Sequence, residues 1–171
     1  MGRYIDPSCR QCRRIGEKLF LKGTRCYTPN CSVERRKRPP GDAPPKRRRS
    51  SDWAIQLREK QKARFTFGVL ERQFRNYFET AREQDGVTGD MLLQVLERRL
   101  DNTVYRLGFA TSRPQARLLV RHGHIRVGER RVNIPSYAVR EGDLVSVSQK
   151  YSKQNTFAHA AEVAQSRSVP K

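Results

Sequence analysis

Acidic residues are scarce in this 171-residue chain: 17 Asp and Glu stand against 36 Lys and Arg, a formal net charge of +19. That scarcity makes a polyanion, nucleic acid first, the expected partner, since net charges beyond about 8 invite nucleic-acid binding. Apolar residues are also few. Counting Gly and omitting Tyr, they make up roughly 39% of the chain against the usual 45–50%. The core must therefore be small, with room for one or two modest domains and none for a large catalytic domain beside a binding module. No run approaches the ~18 apolar residues of a membrane span, and no apolar segment follows the N-terminus as in a signal peptide, so the expectation is a cytoplasmic chain without membrane contacts. The motifs G-x-x-x-x-G-K-[ST], G-x-S-x-G and H-E-x-x-H are missing, and the acidic residues sit mostly among basic ones. Asp90 and Asp101 read as first-turn and exposed helix residues. The expectation is a protein that is not an enzyme.

What is there is unevenly placed. Residues 1–51 hold 15 basic and 4 acidic residues, residues 52–171 hold 21 and 13. The stretch from Glu34 to Arg49 combines two basic clusters with four prolines and Gly41, a composition that reads as an extended linker. Trp53 to Arg64 lacks Gly and Pro, and Phe74, Tyr77, Phe78 and Ala81 follow the i, i+3, i+4, i+7 spacing of a helix. Leu92, Leu93, Leu96, Leu100, Val104 and Leu107 continue one longer stripe that stops at Gly108. Ser112-Arg113-Pro114-Gln115 matches a capping box opening a short helix with Ala116, Leu119 and Val120, which ends near Gly123. The period then changes to two: Ile125 and Val127, a turn at Gly128-Glu129 suited to type II′, then Val132 and Ile134. Val139, a turn at Gly142-Asp143, and Leu144, Val145 and Val147 suggest further strand. Residues 152–171 are polar and weakly patterned.

All four cysteines fall in one C-x2-C-x13-C-x4-C arrangement, Cys9, Cys12, Cys26 and Cys31. Each close pair can grip an ion from a turn, and four thiolates suit one tetrahedral Zn²⁺ that stabilises a segment too small for its own core. A four-cysteine iron–sulfur cluster uses the same ligands and stays open, while four unrelated thiols sit poorly with their concentration in one stretch and two disulfides suit a cytoplasmic chain less well. Four thiolates leave no position for a reactive water, so the expected metal is structural. Arg10, Arg13, Arg14, Lys18, Lys22 and Arg25 surround the thiolates and make this knuckle cationic.

Arg113, Arg117 and Arg121 recur every four residues, forming one ridge beside the apolar arc of the short helix. Such a ridge is ordinarily a solvated face, but no acidic i+4 partner accompanies it, so with Arg106, His122, His124, Arg126, Arg130 and Arg131 it reads as a basic surface for RNA phosphates and minor-groove hydroxyls. His122-Gly123-His124 reads as a helix-ending turn rather than a metal site.

The run from Leu96 to Ala110, followed by Arg113, Gln115-Ala116-Arg117 and Leu119 to Ile125, resembles the bacterial small-subunit ribosomal protein S-four family and its RNA-binding domain. Met1-Gly2-Arg3-Tyr4, the four cysteines, Pro39-Pro40-Gly41, Leu57-Arg58-Glu59-Lys60-Gln61-Lys62 and Glu71-Arg72-Gln73-Phe74 extend the likeness over about residues 1–150. The resemblance implies an α+β chain: a four-cysteine metal knuckle (1–34), a basic Pro-rich linker (35–51), a helical domain (52–95, with 152–171 packing back) and an inserted domain of two helices and a β-hairpin (96–151). It implies a cytoplasmic ribosomal protein that is a primary binder of small-subunit rRNA, nucleates assembly, contacts protein S-five, and lies near the mRNA entry path, where it supports translation accuracy. The residues expected on RNA are Arg3, Arg10, Arg13, Arg14, Arg35, Arg36, Arg38, Arg47, Arg48, Arg49, Arg58, Lys62, Arg106, Arg113, Arg117, Arg121, His122, His124, Arg126 and Arg131. Three departures are visible. The family's hairpin usually turns on Asn-Gly, the linker's usual Gln-His-Gly is Asp42-Ala43-Pro44-Pro45 here, and the family continues beyond a Val-Pro like Val169-Pro170 into a segment completing the larger domain. The same RNA-binding module also occurs in RNA-modifying enzymes, and a zinc-dependent nucleic-acid-binding regulator is the other rival reading.

Overall fold

The computed structural model describes residues 2–36, 38–41 and 51–165, within two units, Met1–Phe74 and Arg75–Lys171, built in different ways. In the first, short helices stop almost as soon as they start. Helix α1 (Cys9–Ile15) ends at Gly16, whose φ of +87° lets its N–H donate to the Cys12 carbonyl at 2.8 Å. A 3₁₀ turn (Gly23–Tyr27) and helix α2 (Ser32–Arg35) follow. Cys12, Ile15, Leu19 and Leu21 form the core, with Val33 and Phe65 against it. Six side chains, one of them a cysteine, make a core too small to carry a fold alone, the condition under which small units need a staple.

Helix α3 (Asp52–Thr66) opens where expected, with the Ser51 hydroxyl accepting the Ala54 N–H at 3.3 Å. None of its residues is buried, because its apolar side chains do not gather on one face. Ion pairs tie it down instead: Lys62 to Glu17 at 2.6 Å, Lys60 to Glu71, and Arg64 to Glu71 at 3.7 Å. In helix α4 (Glu71–Arg82) Phe74 and Ala81 are buried as the spacing predicts, Tyr77 is half-buried and Phe78 exposed.

In the second unit the long stripe predicted from Leu92 to Leu107 is two helices, α5 (Thr88–Glu97) and α6 (Leu100–Arg106). The break has a tertiary cause. Arg99 adopts an extended conformation, and the freed N–H groups of Leu100 and Asp101 donate to the carbonyls of Tyr137 (2.8 Å) and Pro135 (3.1 Å), partners far away in sequence. Gly108 does end α6: its φ is +81°, and the N–H groups of Gly108 and Phe109 reach back to Tyr105 and Val104 in a Schellman motif. Ser112 caps helix α7 (Arg113–Arg121) by accepting the Gln115 N–H at 3.4 Å, but Gln115 Oε1 accepts from the Thr111 N–H at 2.8 Å rather than closing the box on Ser112.

Strands β1 (Ile125–Val127), β2 (Arg130–Arg131) and β3 (Val145–Val147) form an antiparallel sheet in the order β2-β1-β3. Gly128 has φ +58° and Glu129 a negative φ, the II′ pattern. The second hairpin strand is shorter than predicted, with Ile134 exposed, and Val139 lies beside an isolated bridge from Ala138 to Arg99 rather than in a strand. The described part of the weakly patterned tail forms helix α9 (Asn155–Gln165), just after the short helix α8 (Gln149–Ser152). Its Tyr151 joins Leu100, Val104, Ala110, Ala116, Leu119, Val120 and Ile125 in the core, with Phe157 packed alongside. Full burial of side chains such as Leu100, Val120 and Ile125 stabilises by roughly 1.5–3 kcal/mol each.

Candidate RNA interface and cysteine cluster

Cys9 and Cys12 lie on one face of α1, Cys26 in the 3₁₀ turn, and Cys31 at the N-cap of α2, so three separate turns deliver the four free thiols to one small cavity of about 10 Å³. Cys12, Cys26 and Cys31 are buried and Cys9 half-buried. Burial pushes the Cys12 and Cys26 thiols up; the other sulfurs push the same way, while backbone N–H groups oppose, Lys22 donating to Cys26 Sγ at 3.3 Å. The donor set matches a thiolate-preferring ion in type and number, and the common cavity matches in position. The side chains are nevertheless not closed into a coordination set: among the described residues no group of three or more His, Cys, Asp or Glu is placed to hold a metal ion. The expected metal knuckle is thus present as a cluster of thiols and not as a formed metal geometry.

The basic residues around this cluster are open to solvent. Arg3, Arg10, Arg14, Arg35, Arg36, Arg38 and Arg58 are exposed and Arg13 half-buried. Lys62 is half-buried and paired with Glu17, so it is less available to a phosphate than the sequence suggests. Arg47, Arg48 and Arg49 lie outside the described residues.

The arginine ridge of α7 differs from expectation. Asp101, read from sequence as exposed, is only 4% exposed, and it sits between Arg99 (2%) and Arg117 (8%). Arg99 grips it with both prongs, Nε to Oδ1 at 3.0 Å and Nη2 to Oδ2 at 2.6 Å, while Nη1 donates to the Tyr77 hydroxyl. Arg117 Nη1 reaches Oδ2 at 3.3 Å, and its buried Nε has no hydrogen-bond partner among the described residues. Burial lowers the pKa of both guanidinium groups, yet for Arg99 the adjacent carboxylate more than reverses it, whereas for Arg117, with one long contact, burial prevails. The acidic partner that i+4 arithmetic on α7 cannot show is supplied by α6. Arg113 is half-buried, its Nε donating to Asn102 Oδ1 at 2.8 Å and its guanidinium carbon 4.6 Å from the Tyr105 ring centre. Arg106 holds Glu97 at 2.6 and 3.0 Å. Of the ridge, only Arg121 is exposed.

Beyond α7, His122, Arg126 and Arg131 are exposed and His124 half-buried. Arg131 Nη2 donates to the His122 carbonyl at 2.9 Å, capping α7, and its guanidinium lies where a side chain on Gly123 would have to be. Arg126 donates to the Glu129 carbonyl at 2.6 Å across the hairpin. His124 stacks on Tyr151 with ring centres 5.0 Å apart. Burial, then His122 and the cations Arg131 and Lys150, hold its pKa below the usual range, so at neutral pH it offers a ring and a hydrogen bond rather than charge.

Residues 3–97 match the family model of the ribosomal protein S4/S9 N-terminal domain, and residues 98–145 match that of the S4 domain. A protein of Thermus thermophilus is 58% identical over 170 residues, 99% of this chain and 81% of its own length. Proteins of Syntrophomonas wolfei (55% identical) and Ruminiclostridium cellulolyticum (53%) align over 171 residues, 99% and 100% of this chain and 82% of their own lengths. All three are named small ribosomal subunit protein uS4.

Proposed function

Because this chain belongs to the small ribosomal subunit protein uS4 family, a structural, rRNA-binding component of the ribosome, we propose that it acts as a primary binder of small-subunit rRNA and nucleates assembly around it. The observation that carries this reading is the set of exposed cations without acidic partners among the described residues, in the N-terminal unit and at Arg121. On the same reading it works in the cytoplasm, on the ribosome, contacts protein S-five, and lies near the mRNA entry path without catalysing a reaction. Enzymatic footprinting on naked small-subunit rRNA is the direct test. Protection of a compact rRNA region at low protein concentration is expected; equal affinity for double-stranded DNA would overturn the reading.

Cys9, Cys12, Cys26 and Cys31 are the residues that would hold one Zn²⁺, an iron–sulfur cluster being the alternative. Four thiols from three turns around one cavity support this. A bound ion there cross-links segments that bury too little apolar surface to hold themselves. Elemental analysis of freshly purified protein decides between zinc, iron and neither.

A further inference from the structure

The four thiols are alike in type but not in access. Cys12, Cys26 and Cys31 are only 6–7% exposed, while Cys9, the first residue of α1, is half-buried. Cys9 lines the small thiol cavity with the other three, and it alone of the four also lines a neighbouring open groove of about 310 Å³. That groove carries six cations, Arg10, Arg13, Lys22, Arg25, Arg35 and Arg36, and no carboxylate. None of the six has an acidic partner within 4 Å among the described residues. A molecule that approaches the sulfurs through this groove therefore passes the cations and meets Cys9 first.

A solvent-filled groove of this kind matters without holding a ligand tightly. Unpaired cations beside a nucleophile raise the encounter rate with anionic reactants, an effect that fades as salt rises. Cys12 stands one helical turn beyond Cys9. Helix geometry puts residues i and i+3 about 5 Å apart at Cα, inside the range of roughly 4.4–6.8 Å that a disulfide spans, and both residues line the common cavity. We propose that Cys9 is a modification site for anionic low-molecular-weight disulfides, with Cys12 as its resolving partner. The Cys9 sulfur attacks one sulfur of the incoming disulfide, whose S–S bond breaks, and the leaving half departs as a thiol with the Cys9 proton. The Cys12 sulfur then attacks Cys9 Sγ, forming the Cys9–Cys12 bond and releasing the second half as a thiol with the Cys12 proton. Two protein thiols are oxidised and one small disulfide is reduced to two thiols, with nothing else consumed. The same two sulfurs cannot then serve an ion, so the modification and the proposed metal exclude each other in a unit with a six-residue core. The inference stands on the thiols and is independent of the rRNA-binding function proposed above.

In the test, the full-length chain as purified is treated with glutathione disulfide, whose carboxylates outnumber its ammonium groups, or with cystamine, which carries ammonium groups alone. Non-reducing peptide mapping after brief exposure should find the glutathione adduct at Cys9 ahead of Cys12, Cys26 and Cys31. A Cys9–Cys12 disulfide should follow, with two glutathione thiols released per chain. Each rate is divided by that of mercaptoethanol with the same reagent, which removes the intrinsic reactivity of the two disulfides. At low salt the normalised preference for glutathione disulfide should be about tenfold or more, and it should collapse towards unity near 1 M salt, where the Debye length is about 3 Å. Arg10→Gln with Arg36→Gln, both at exposed positions, should lower the preference about threefold or more. The charge comparison uses the unaltered chain, so it stands whether or not the variant folds. No adduct at Cys9, first modification at a buried cysteine, no preference at low salt, or a preference that salt leaves unchanged overturns the modification site. An adduct that persists at Cys9 with a single thiol released overturns the role of Cys12.

Discussion

The two units use their arginines in opposite ways. Around the cysteine cluster six cations face one cavity with no acid in its wall, whereas at the junction of α6 and α7 the conspicuous arginines are already taken, Arg99 and Arg117 by Asp101, Arg106 by Glu97, Arg113 by Asn102. Both regions look alike in a charge count. The difference teaches that what a basic protein offers to RNA is its unpaired charge, and that pairing is settled by side chains that folding brings together. A stripe of arginines on a helix with a buried apolar arc can serve the core from its flank.

The largest expected effect follows from the thin core of the first unit. On the proposed zinc reading, Cys12→Ser removes one of four ligands and should unfold residues 9–36, since structural zinc contributes apparent free energies of about 10–16 kcal/mol in small zinc domains. Hydrogen exchange should accelerate there and stay unchanged at Leu100, Val104 and Val120; loss of protection in both regions would mean that the units are not energetically separate. Next comes Asp101→Ala. It strands two buried guanidinium groups, and breaking a buried pair from one side costs about 3–5 kcal/mol, so urea unfolding of the second unit should shift to far lower denaturant.

Arg117 and Arg121 sharpen the contrast within one helix. Arg117→Ala should cost stability with little change in salt slope, and Arg121→Ala should leave stability within about ±0.5 kcal/mol while lowering the slope by about 0.7–0.9. The opposite pattern would restore the ridge as an RNA surface. The smallest effect concerns Glu97. Burial raises its pKa, but hydrogen bonds from Arg106 and Asn102 outweigh that and hold it below the ordinary glutamate range. Its contribution is therefore present above about pH 4.3 and lost as pH falls through the lower folded value. Glu97→Gln should flatten the acid limb of the stability curve in that window and leave the curve near neutrality parallel to the original.

Local rules were readable where local physics decides. The cysteine spacing, Ser112 as a cap, Gly108 and Gly123 as left-handed helix ends, and the Gly128 turn all follow from chain geometry within a few residues. So did the family, whose signature runs from Leu96 to Ile125 along the primary chain. The break at Arg99 was hidden because the partners that satisfy the first N–H groups of α6 come from residues 135–137, and Asp101 reads as an exposed helix residue because Arg117, which helps bury it, comes from another helix. Helix α9 was hidden because a tail with few apolar residues becomes helical when Phe157 finds a core to lie on. The sequence by itself determined the charge, the thiol set, the turns and the family, all of which depend on residue type and short spacing. Only the tertiary structure decided which arginines remain free, because a buried ion pair forms between residues sixteen positions apart on different helices, and no period along the chain encodes that meeting.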